Sequence, residues 1–390
     1  MSIKPPVALA EEHEEFAAWV RDFAAKYSDD YLTYANSDEF PWDLAAALGE
    51  QGLLGFGTSE EFGGSGRIGE DVTYTHLGIM HEELAYANFQ LAQIVYSCSI
   101  MGPLLEANLH SADKAEWIGG IVRGEHVIAM GATEPGAGSD VAGLRTRATK
   151  VDGGWRITGE KTSITFAPHA KAVVTLAKTE GPDGRDVFTA FLVPLDSEGI
   201  TLQIFKDVAW RPDGRAGIFY DEVFVPDEMV LGPVGGAFKT VLKTFDYARC
   251  VTGLMALGMA RRSLDVATDY ATKRETFGQP ISKYQGVAFP LVERYTELEA
   301  AKWLCFRALS LADLGRPYVK EAAMCKYYGV ESALAGAREA VVVLGHNGIS
   351  EEYPLQSLLR DISGLQLGEG APQIQKLVAS RHIFGREFSS

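Results

Sequence analysis

The spacing of hydrophobic residues changes twice along this 390-residue chain, and that change limits its fold more than any other feature. Residues 8–124 and 235–384 carry apolar side chains at helical intervals, whereas residues 125–234 carry short apolar runs between turn-forming residues. Long, glycine-poor helices such as those of the last segment are typical of a four-helix bundle. We therefore predict a mostly α fold with a central β-domain, in three parts: an N-terminal helical domain (1–124), a small β-barrel or sandwich (125–234) and a C-terminal four-helix bundle (235–390).

The middle segment contains the clearest strand signals. The Asp152-Gly153 pair lies between two runs of alternating residues, an arrangement that predicts a hairpin. Further strands are predicted in β-branched and aromatic runs at residues 172–177, 187–193 and 218–225. Short strands separated by turn residues at this spacing indicate a small barrel or sandwich.

Charge excludes several classes of partner. The net charge is −16 and the isoelectric point is about 5.0, with no block of basic residues. Such a surface repels nucleic acid and anionic lipid. No stretch approaches the roughly 20 apolar residues that a membrane span needs, and the N-terminal residues lack the apolar core of a signal peptide. We expect a cytoplasmic protein that binds neither nucleic acid nor membrane.

The four cysteines are far apart in the sequence and form no C-x-x-C pair; they are Cys98, Cys250, Cys305 and Cys325. Most lie in apolar helical patterns, which favours buried, reduced thiols. His346 has no second ligand at metal spacing, so no metal site is predicted. No serine near a histidine shows the pattern of a nucleophile elbow, which argues against a hydrolase triad.

A glycine-rich motif at residues 133–140 (TEPGAGSD) is the densest cluster of ligand-binding residue types. Gly136 and Gly138 allow the backbone to approach a ligand, and Thr133 and Ser139 offer hydroxyl groups. The motif is neither a Walker A loop nor a Rossmann fingerprint. Taken alone, it is more typical of a structural turn between strands.

Two further motifs have both a structural and a functional interpretation. Residues 274–278 (RETFG) combine Arg274 with a turn, as a pyrophosphate site does, but they also suit the C-terminus of a helix. Glu369 lies between two glycines, just before a predicted helix at residues 373–381. Such a carboxylate is accessible to a ligand, yet on its own it is more typical of a helix cap.

The four segments TEPGAGSD, RETFGQPISKYQ, LGHNGISEEYPLQSLLRD and GEGAPQIQKLVASR occur in this order. Together they resemble the acyl-CoA dehydrogenase family over essentially the full length. The resemblance implies an FAD-dependent oxidoreductase that removes hydrogen from the α- and β-carbons of an acyl-CoA thioester. It also implies a dimer or tetramer, and electron-transferring flavoprotein as the electron acceptor.

The resemblance assigns roles to individual residues. Glu369 is the implied base for the α-proton. The residues implied to contact the flavin ring are Met130, Ala132, Thr133 and Thr165. Those implied to hold the FAD of a neighbouring subunit are Arg274, Thr276, Phe277 and Gln285, with Gly345 near the adenine and Gln373 near the ribose or phosphates. The implied substrate contacts are Ser139 near the CoA diphosphate, Arg249 on the helix beneath the site, and Gly370.

The chain departs from the family pattern at four positions. Ser163 replaces a usual tryptophan beside the flavin, and Ala371 replaces a threonine that contacts FAD. Val342 and His346 replace a glutamine and a glycine. The loss of the tryptophan leaves room for a branched or cyclic α-carbon.

Three segments most resemble members that act on cyclohexanecarboxyl-CoA and similar thioesters: residues 245–249, 284–293 and 364–370. We therefore expect an α-branched or alicyclic acyl group. The alternatives are another flavoenzyme on the same fold (an acyl-CoA reductase, oxidase or desulfinase) and a catalytically silent scaffold. Retention of Glu369 and Arg274 argues against the scaffold.

Overall fold

The computed structural model describes residues 9–388, and in them a helical segment, a β segment and a second helical segment follow one another. The predicted fold class is therefore confirmed. The helices are α1 (Glu11–Ala25), α2 (Tyr31–Ala35), α3 (Trp42–Glu50), α4 (Tyr74–Ala87), α5 (Phe89–Asn108), α6 (Lys114–Val122), α7 (Ala237–Lys273), α8 (Gln285–Asp313), α9 (Val319–Leu344), α10 (Leu355–Leu367) and α11 (Pro372–Phe384). The strands are β1 (Ile128–Gly131), β2 (Arg147–Val151), β3 (Gly154–Thr165), β4 (Ala172–Glu180), β5 (Asp186–Pro194), β6 (Ile200–Phe205), β7 (Arg215–Pro226), β8 (Val230–Leu231), β9 (Glu275–Thr276) and β10 (Gln279–Pro280).

The described residues divide into two compact units. The first, called the helical unit here, contains residues 9–36, Thr73–Ala92 and 246–388. The second, called the β-unit, contains residues 37–72 and 93–245. Helix α4 thus belongs to the same unit as most of the C-terminal helices, although it is far from them in sequence. The three-part division at residues 124 and 234 stays a prediction.

Eight strands of the β-unit form one sheet. Its order is β6-β7-β3-β2-β4-β5-β8, and β1 pairs with β4 in parallel. Strands β2 and β3 form the predicted hairpin, with Gly153 in the left-handed region at φ 71°. The register of β3 against β7 shifts between Lys161 and Ile164. This irregularity bends the end of β3, where two of the predicted site positions lie.

Helix α9 is at the centre of contacts in the helical unit, since α8, α10 and α11 all pack against it. Close helix approach is required elsewhere in the unit: a Cβ on Gly258 of α7 would lie 2.3 Å from the carbonyl oxygen of Glu82 in α4. The apolar spacing read from the sequence therefore serves packing between helices, as expected for a bundle.

All four cysteines are buried and free, which confirms the prediction for them. Within residues 9–388, no group of three or more histidine, cysteine, aspartate or glutamate side chains is arranged to hold a metal ion. None of the helices in this part of the chain is both long enough and apolar enough to cross a membrane.

Candidate active site

The loop that carries Glu369 connects α10 to α11 in the helical unit. Glu369 has φ 53° and Gly370 has φ 90°. The left-handed region is unfavourable for a residue with a β-carbon, so surrounding contacts must hold Glu369 there. Helix α11 starts immediately afterwards with Pro372 in its first turn, where proline is favoured. The glycines of the motif therefore have a structural reason, and the carboxylate between them is held in an uncommon backbone conformation.

Two buried side chains hold this loop by its carbonyl oxygens. Lys326, in α9, donates from Nζ to the carbonyl oxygens of Gln366 at 2.7 Å and Gly370 at 2.8 Å. Gln375, in α11, donates from Nε2 to the carbonyl oxygens of Glu369 at 2.8 Å and Gly370 at 3.2 Å. Both residues are fully buried. The backbone on either side of the carboxylate is thus fixed from two helices.

The electrostatics of the loop depend on Lys326. Burial lowers the pKa of its amine to about 8; the negative charge of Glu369 opposes this change, and the guanidinium of Arg249 adds to it. Arg249 is itself paired with Asp246, with Nη1 2.7 Å from Oδ1. Burial raises the pKa of Asp246, which Arg249 and His382 partly offset. The predicted residues Arg249 and Glu369 therefore both interact with the charge of Lys326, whose amine also binds the carbonyl oxygen of Gly370.

The predicted flavin contacts of the β-unit lie on two neighbouring segments. Met130 is in β1, and Ala132 and Thr133 follow it, while Thr165 ends β3. The segments are joined by a hydrogen bond of 3.0 Å from the amide of Thr162 to the carbonyl oxygen of Thr133. The structure therefore brings together the two segments that carry these positions, which the sequence separates by about 30 residues.

A buried ion pair fixes the start of the glycine-rich motif. Lys161 Nζ lies 2.8 Å from Glu134 Oε1 and 3.4 Å from the carbonyl oxygen of Ala132. Glu134 also accepts from the amides of Arg145 and Thr146, at 2.5 and 3.0 Å. Burial alone would raise the pKa of Glu134, but these hydrogen bonds hold it below its ordinary value. The carboxylate of Glu134 is therefore ionised at neutral pH.

The rest of the motif is open. Gly136 and Gly138 have no other atom within 4 Å of the position that a Cβ would occupy, and Ser139 is exposed. A cavity of about 480 Å³ lies beside this loop. Its lining includes Glu134, Gly136, Arg145, Thr158 and Tyr220. A ligand can therefore approach the backbone at Gly136, Gly138 and Ser139, as the motif predicts, whereas Ala137 between them is buried.

Ser163 has surroundings that the sequence did not indicate. It is exposed, has φ 60°, and its Oγ accepts a hydrogen bond of 2.9 Å from Arg215 Nη1. Arg215 also makes two hydrogen bonds to Asp207, at 2.8 and 2.6 Å, and stacks on the ring of Phe205 at 5.0 Å. The position of the usual tryptophan thus has a polar side chain bonded to a guanidinium.

The remaining predicted positions lie at or near helix ends of the helical unit, and all are exposed except Thr276, which is half-buried. They are Arg274 at the end of α7, Thr276 and Phe277 in the β9–β10 hairpin, Gln285 at the start of α8, Gly345 after α9 and Gln373 in the first turn of α11. Arg274 lines a cavity of about 760 Å³ together with Tyr270 and Asn347. The ring of Phe277 is 97% exposed at φ 50°. An accessible guanidinium, an accessible aromatic ring and a cavity of this size suit the phosphates and base of a dinucleotide such as FAD.

Sequence reasoning missed Lys326, Gln375, Lys161 and Arg215. A signal existed for Lys326, because it is a single cation within the otherwise apolar helical stretch AAMCKYYGV. Nothing in the sequence pointed to Arg215, since its contact with Ser163 depends on the pairing of β3 with β7. The helical unit thus has a carboxylate on a loop that two buried side chains hold in place, and the β-unit has an exposed, glycine-rich loop beside a cavity.

Three family models match the chain: the acyl-CoA dehydrogenase N-terminal domain over residues 10–125, the middle domain over 129–223 and the C-terminal domain over 235–384. Benzylmalonyl-CoA dehydrogenase of Aromatoleum aromaticum is 37% identical over 93% of this chain and 97% of that protein. The mitochondrial short-chain specific acyl-CoA dehydrogenase of Rattus norvegicus is 32% identical over 97% and 91%. The solved complex of glutaryl-coenzyme A dehydrogenase with glutaryl-CoA superimposes with a TM-score of 0.91, at 27% identity, over 99% of this chain and 98% of that one.

Proposed function

This chain belongs to the acyl-CoA dehydrogenase family and is an FAD-dependent oxidoreductase, and we propose that Glu369 is the base that removes the α-proton of its acyl-CoA substrate. The observation that supports this role is the loop itself. Glu369 is held at φ 53° while two buried side chains bind the carbonyl oxygens around it. Such fixed geometry is what a general base needs, because proton transfer depends on placing the carboxylate within hydrogen-bonding reach of one carbon.

The reaction transfers one proton and one hydride. The α-carbon gives its proton to the carboxylate of Glu369, and its C–H electrons form the new double bond to the β-carbon. Bound FAD supplies the electron acceptor for the β-hydrogen, which leaves with its electron pair. The chain must also stabilise the charge that develops on the thioester oxygen, and the backbone amide of Glu369 is a donor suited to that.

The other predicted residues keep their roles as proposals. Met130, Ala132, Thr133 and Thr165 are proposed to contact the flavin ring. Arg274, Thr276, Phe277, Gln285, Gly345 and Gln373 are proposed to hold the FAD of a neighbouring subunit, and Ser139, Arg249 and Gly370 to contact the substrate. The exposure of Arg274 and Phe277 supports a role toward a second copy. Members of this family form oligomers, and we propose a homotetramer or dimer here.

We propose an α-branched or alicyclic acyl group as the substrate. Two observations favour it: a serine replaces the usual tryptophan at position 163, and one relative is named for benzylmalonyl-CoA, whose α-carbon carries a substituent. The finer resemblance to enzymes of cyclohexanecarboxyl-CoA stays a prediction. Electron-transferring flavoprotein as the acceptor and a cytoplasmic location are proposals of the same kind.

Anaerobic titration of the purified holoenzyme tests the proposed function. The panel is butyryl-CoA, isobutyryl-CoA, cyclohexanecarboxyl-CoA and glutaryl-CoA, and the measurement is bleaching of the visible flavin band. We expect bleaching by at least one thioester, and fastest by isobutyryl-CoA or cyclohexanecarboxyl-CoA. Preference for butyryl-CoA would contradict the branched or alicyclic specificity alone.

The Glu369→Gln variant tests the base. It keeps the size of the side chain but removes its basicity, so the variant should stay yellow and bleach at least ~1,000-fold more slowly. Bleaching at the wild-type rate would show that another group takes the proton.

A further inference from the structure

The carboxylate proposed as the base is held by an unusual buried contact. We propose that Lys326 is a positioning residue for Glu369: its ammonium group fixes the loop through two carbonyl oxygens and supplies a positive charge beside the carboxylate. This inference rests on the proposed role of Glu369 as the base. Lys326 does not itself contact the reacting carbon in this scheme, and it acts through the loop.

The hydrogen bonds of Lys326 join the end of a helix to the loop that follows. Gln366 is in the last turn of α10, and Gly370 follows Glu369 directly. One amine that donates to both carbonyl oxygens, at 2.7 and 2.8 Å, fixes the path of the backbone between them. Carbonyl oxygens at the end of a helix lack intrahelical partners and attract a cation. The amine therefore determines where the α10–α11 connection turns.

Burial of the Lys326 amine is unfavourable, and packing alone does not explain why a lysine occupies this position. The side chain is fully buried, and its hydrogen-bond acceptors are backbone carbonyls rather than a carboxylate. Burying a charge in this way is unfavourable because the ammonium loses its hydration, and an apolar residue of similar length would avoid that cost. A role for the charge accounts for its presence. Glu369 is the acid whose charge acts on Lys326, and Arg249, paired with Asp246, is the nearby cation.

A variant of Gln375 can separate the effect of loop geometry from the effect of the Lys326 charge. It binds the same carbonyl oxygen of Gly370, and that of Glu369, through a neutral amide. Loss of Gln375 should loosen the loop without changing the field at the carboxylate, whereas loss of Lys326 should change both. A lysine that only stabilised the fold would alter neither the proton-transfer step nor its pH dependence.

The test compares Lys326→Met and Gln375→Leu with wild type, and uses Lys376→Met as a matched control. Lys376 is a half-exposed lysine of α11 whose amine pairs with the carboxylate of Glu331 at 3.2 Å instead of with backbone carbonyl oxygens of the loop. The readouts are exchange of the α-proton of the fastest panel thioester in D₂O, followed by mass spectrometry, and kcat, KM and the pH profile of kcat/KM. Melting temperature and flavin content report whether each variant is folded.

We expect Lys326→Met to slow proton exchange and kcat together by roughly 10- to 100-fold, while KM changes less than about threefold. The low-pH limb of its kcat/KM profile, called the acid limb here, should shift to higher pH by about one unit. The reason is that the carboxylate of Glu369 loses a nearby positive charge. Gln375→Leu should slow both steps with the acid limb unmoved. Lys376→Met should match wild type in every readout.

A Lys326→Met enzyme that is folded, retains its flavin and has wild-type exchange with an unmoved acid limb overturns the proposal. Should Lys326→Met fail to fold, Lys326→Gln carries the test: it keeps a donor but loses the charge, so its acid limb must still move upward. The two proposals fail separately. Unchanged exchange in Glu369→Gln overturns the base assignment, whereas loss of exchange in Glu369→Gln but not in Lys326→Met overturns only the positioning role.

Discussion

The two units each contain a fully buried lysine, and the partners of these lysines differ. Lys161, in the β-unit, lies 2.8 Å from the carboxylate of Glu134. Lys326, in the helical unit, has two backbone carbonyl oxygens as its acceptors. Burial lowers the pKa of both amines. A carboxylate opposes this change in both cases, through a direct hydrogen bond from Lys161 to Glu134 but only through the charge of Glu369 for Lys326, whose pKa falls to about 8.

Lys161 thus belongs to a structural ion pair, whereas the charge of Lys326 has no directly bonded carboxylate among the described residues and can act on a neighbouring group. Glu134 and Lys161 compensate each other and hold the strand ends on which the predicted flavin contacts lie. The ammonium of Lys326 instead acts on the loop of Glu369. A buried lysine paired with a carboxylate is therefore best tested through stability, and one bonded to carbonyls through pH dependence and rate.

Disrupting the buried ion pair between Lys161 and Glu134 should produce the largest effect on stability. Lys161→Met leaves the carboxylate of Glu134 buried without its counter-ion, which typically costs about 3–5 kcal/mol. Urea unfolding followed by tryptophan fluorescence measures the loss. The double variant Lys161→Met/Glu134→Gln should recover at least half of it, because no charge is then left buried. Equal stability of the single and double variants would show that the pair is not compensated.

The Lys326 amine should make stability depend on pH in an alkaline window. Its pKa is about 8 when folded and 10.5 in the unfolded reference. Between these values the unfolded chain binds one more proton, so the free energy of unfolding rises with pH, by up to roughly 3 kcal/mol. Thermal unfolding of wild type and Lys326→Met from pH 7 to 10.5 measures the difference. A difference that stays constant with pH would contradict a lowered pKa.

Strain in the loop that carries Glu369 should have a moderate effect that is specific to activity. Gly370→Ala places a β-carbon at φ 90° and 2.5 Å from Gln375 Nε2, which costs about 1–3 kcal/mol. The matched variant is Gly153→Ala in the β2–β3 turn, at φ 71° with no atom within 4 Å. Both should lower the melting temperature. Only Gly370→Ala should lower kcat, by about tenfold, and a similar loss in Gly153→Ala would remove the distinction.

The smallest effect should come from the exposed contact in the β-unit. Ser163→Ala removes one hydrogen bond from Arg215, which keeps its two bonds to Asp207. We expect a change in unfolding free energy below about 1 kcal/mol, since an exposed donor rebinds water. Urea unfolding measures it. A loss above about 2 kcal/mol would show that Arg215 depends on Ser163 for its position.

Local patterns predicted the elements well because each depends on neighbours in sequence. The Asp152-Gly153 turn predicted the β2–β3 hairpin, and β-branched runs predicted β4 and β5. Their order in the sheet did not follow from any local pattern. Strand β3 pairs with β7, about 60 residues later, and β1 pairs in parallel with β4. Such pairings are selected by burial across the whole unit.

The sequence by itself determined the family resemblance, the order of the segments and the glutamate between two glycines. It also determined that Ser163 stands where a tryptophan is usual. Tertiary structure alone decided what holds that glutamate. Lys326 is 44 positions from Gly370 and binds its carbonyl oxygen only because α9 packs against α10 and α11. A backbone acceptor has no side-chain identity to read, so contacts of this kind become visible only when the helices are packed.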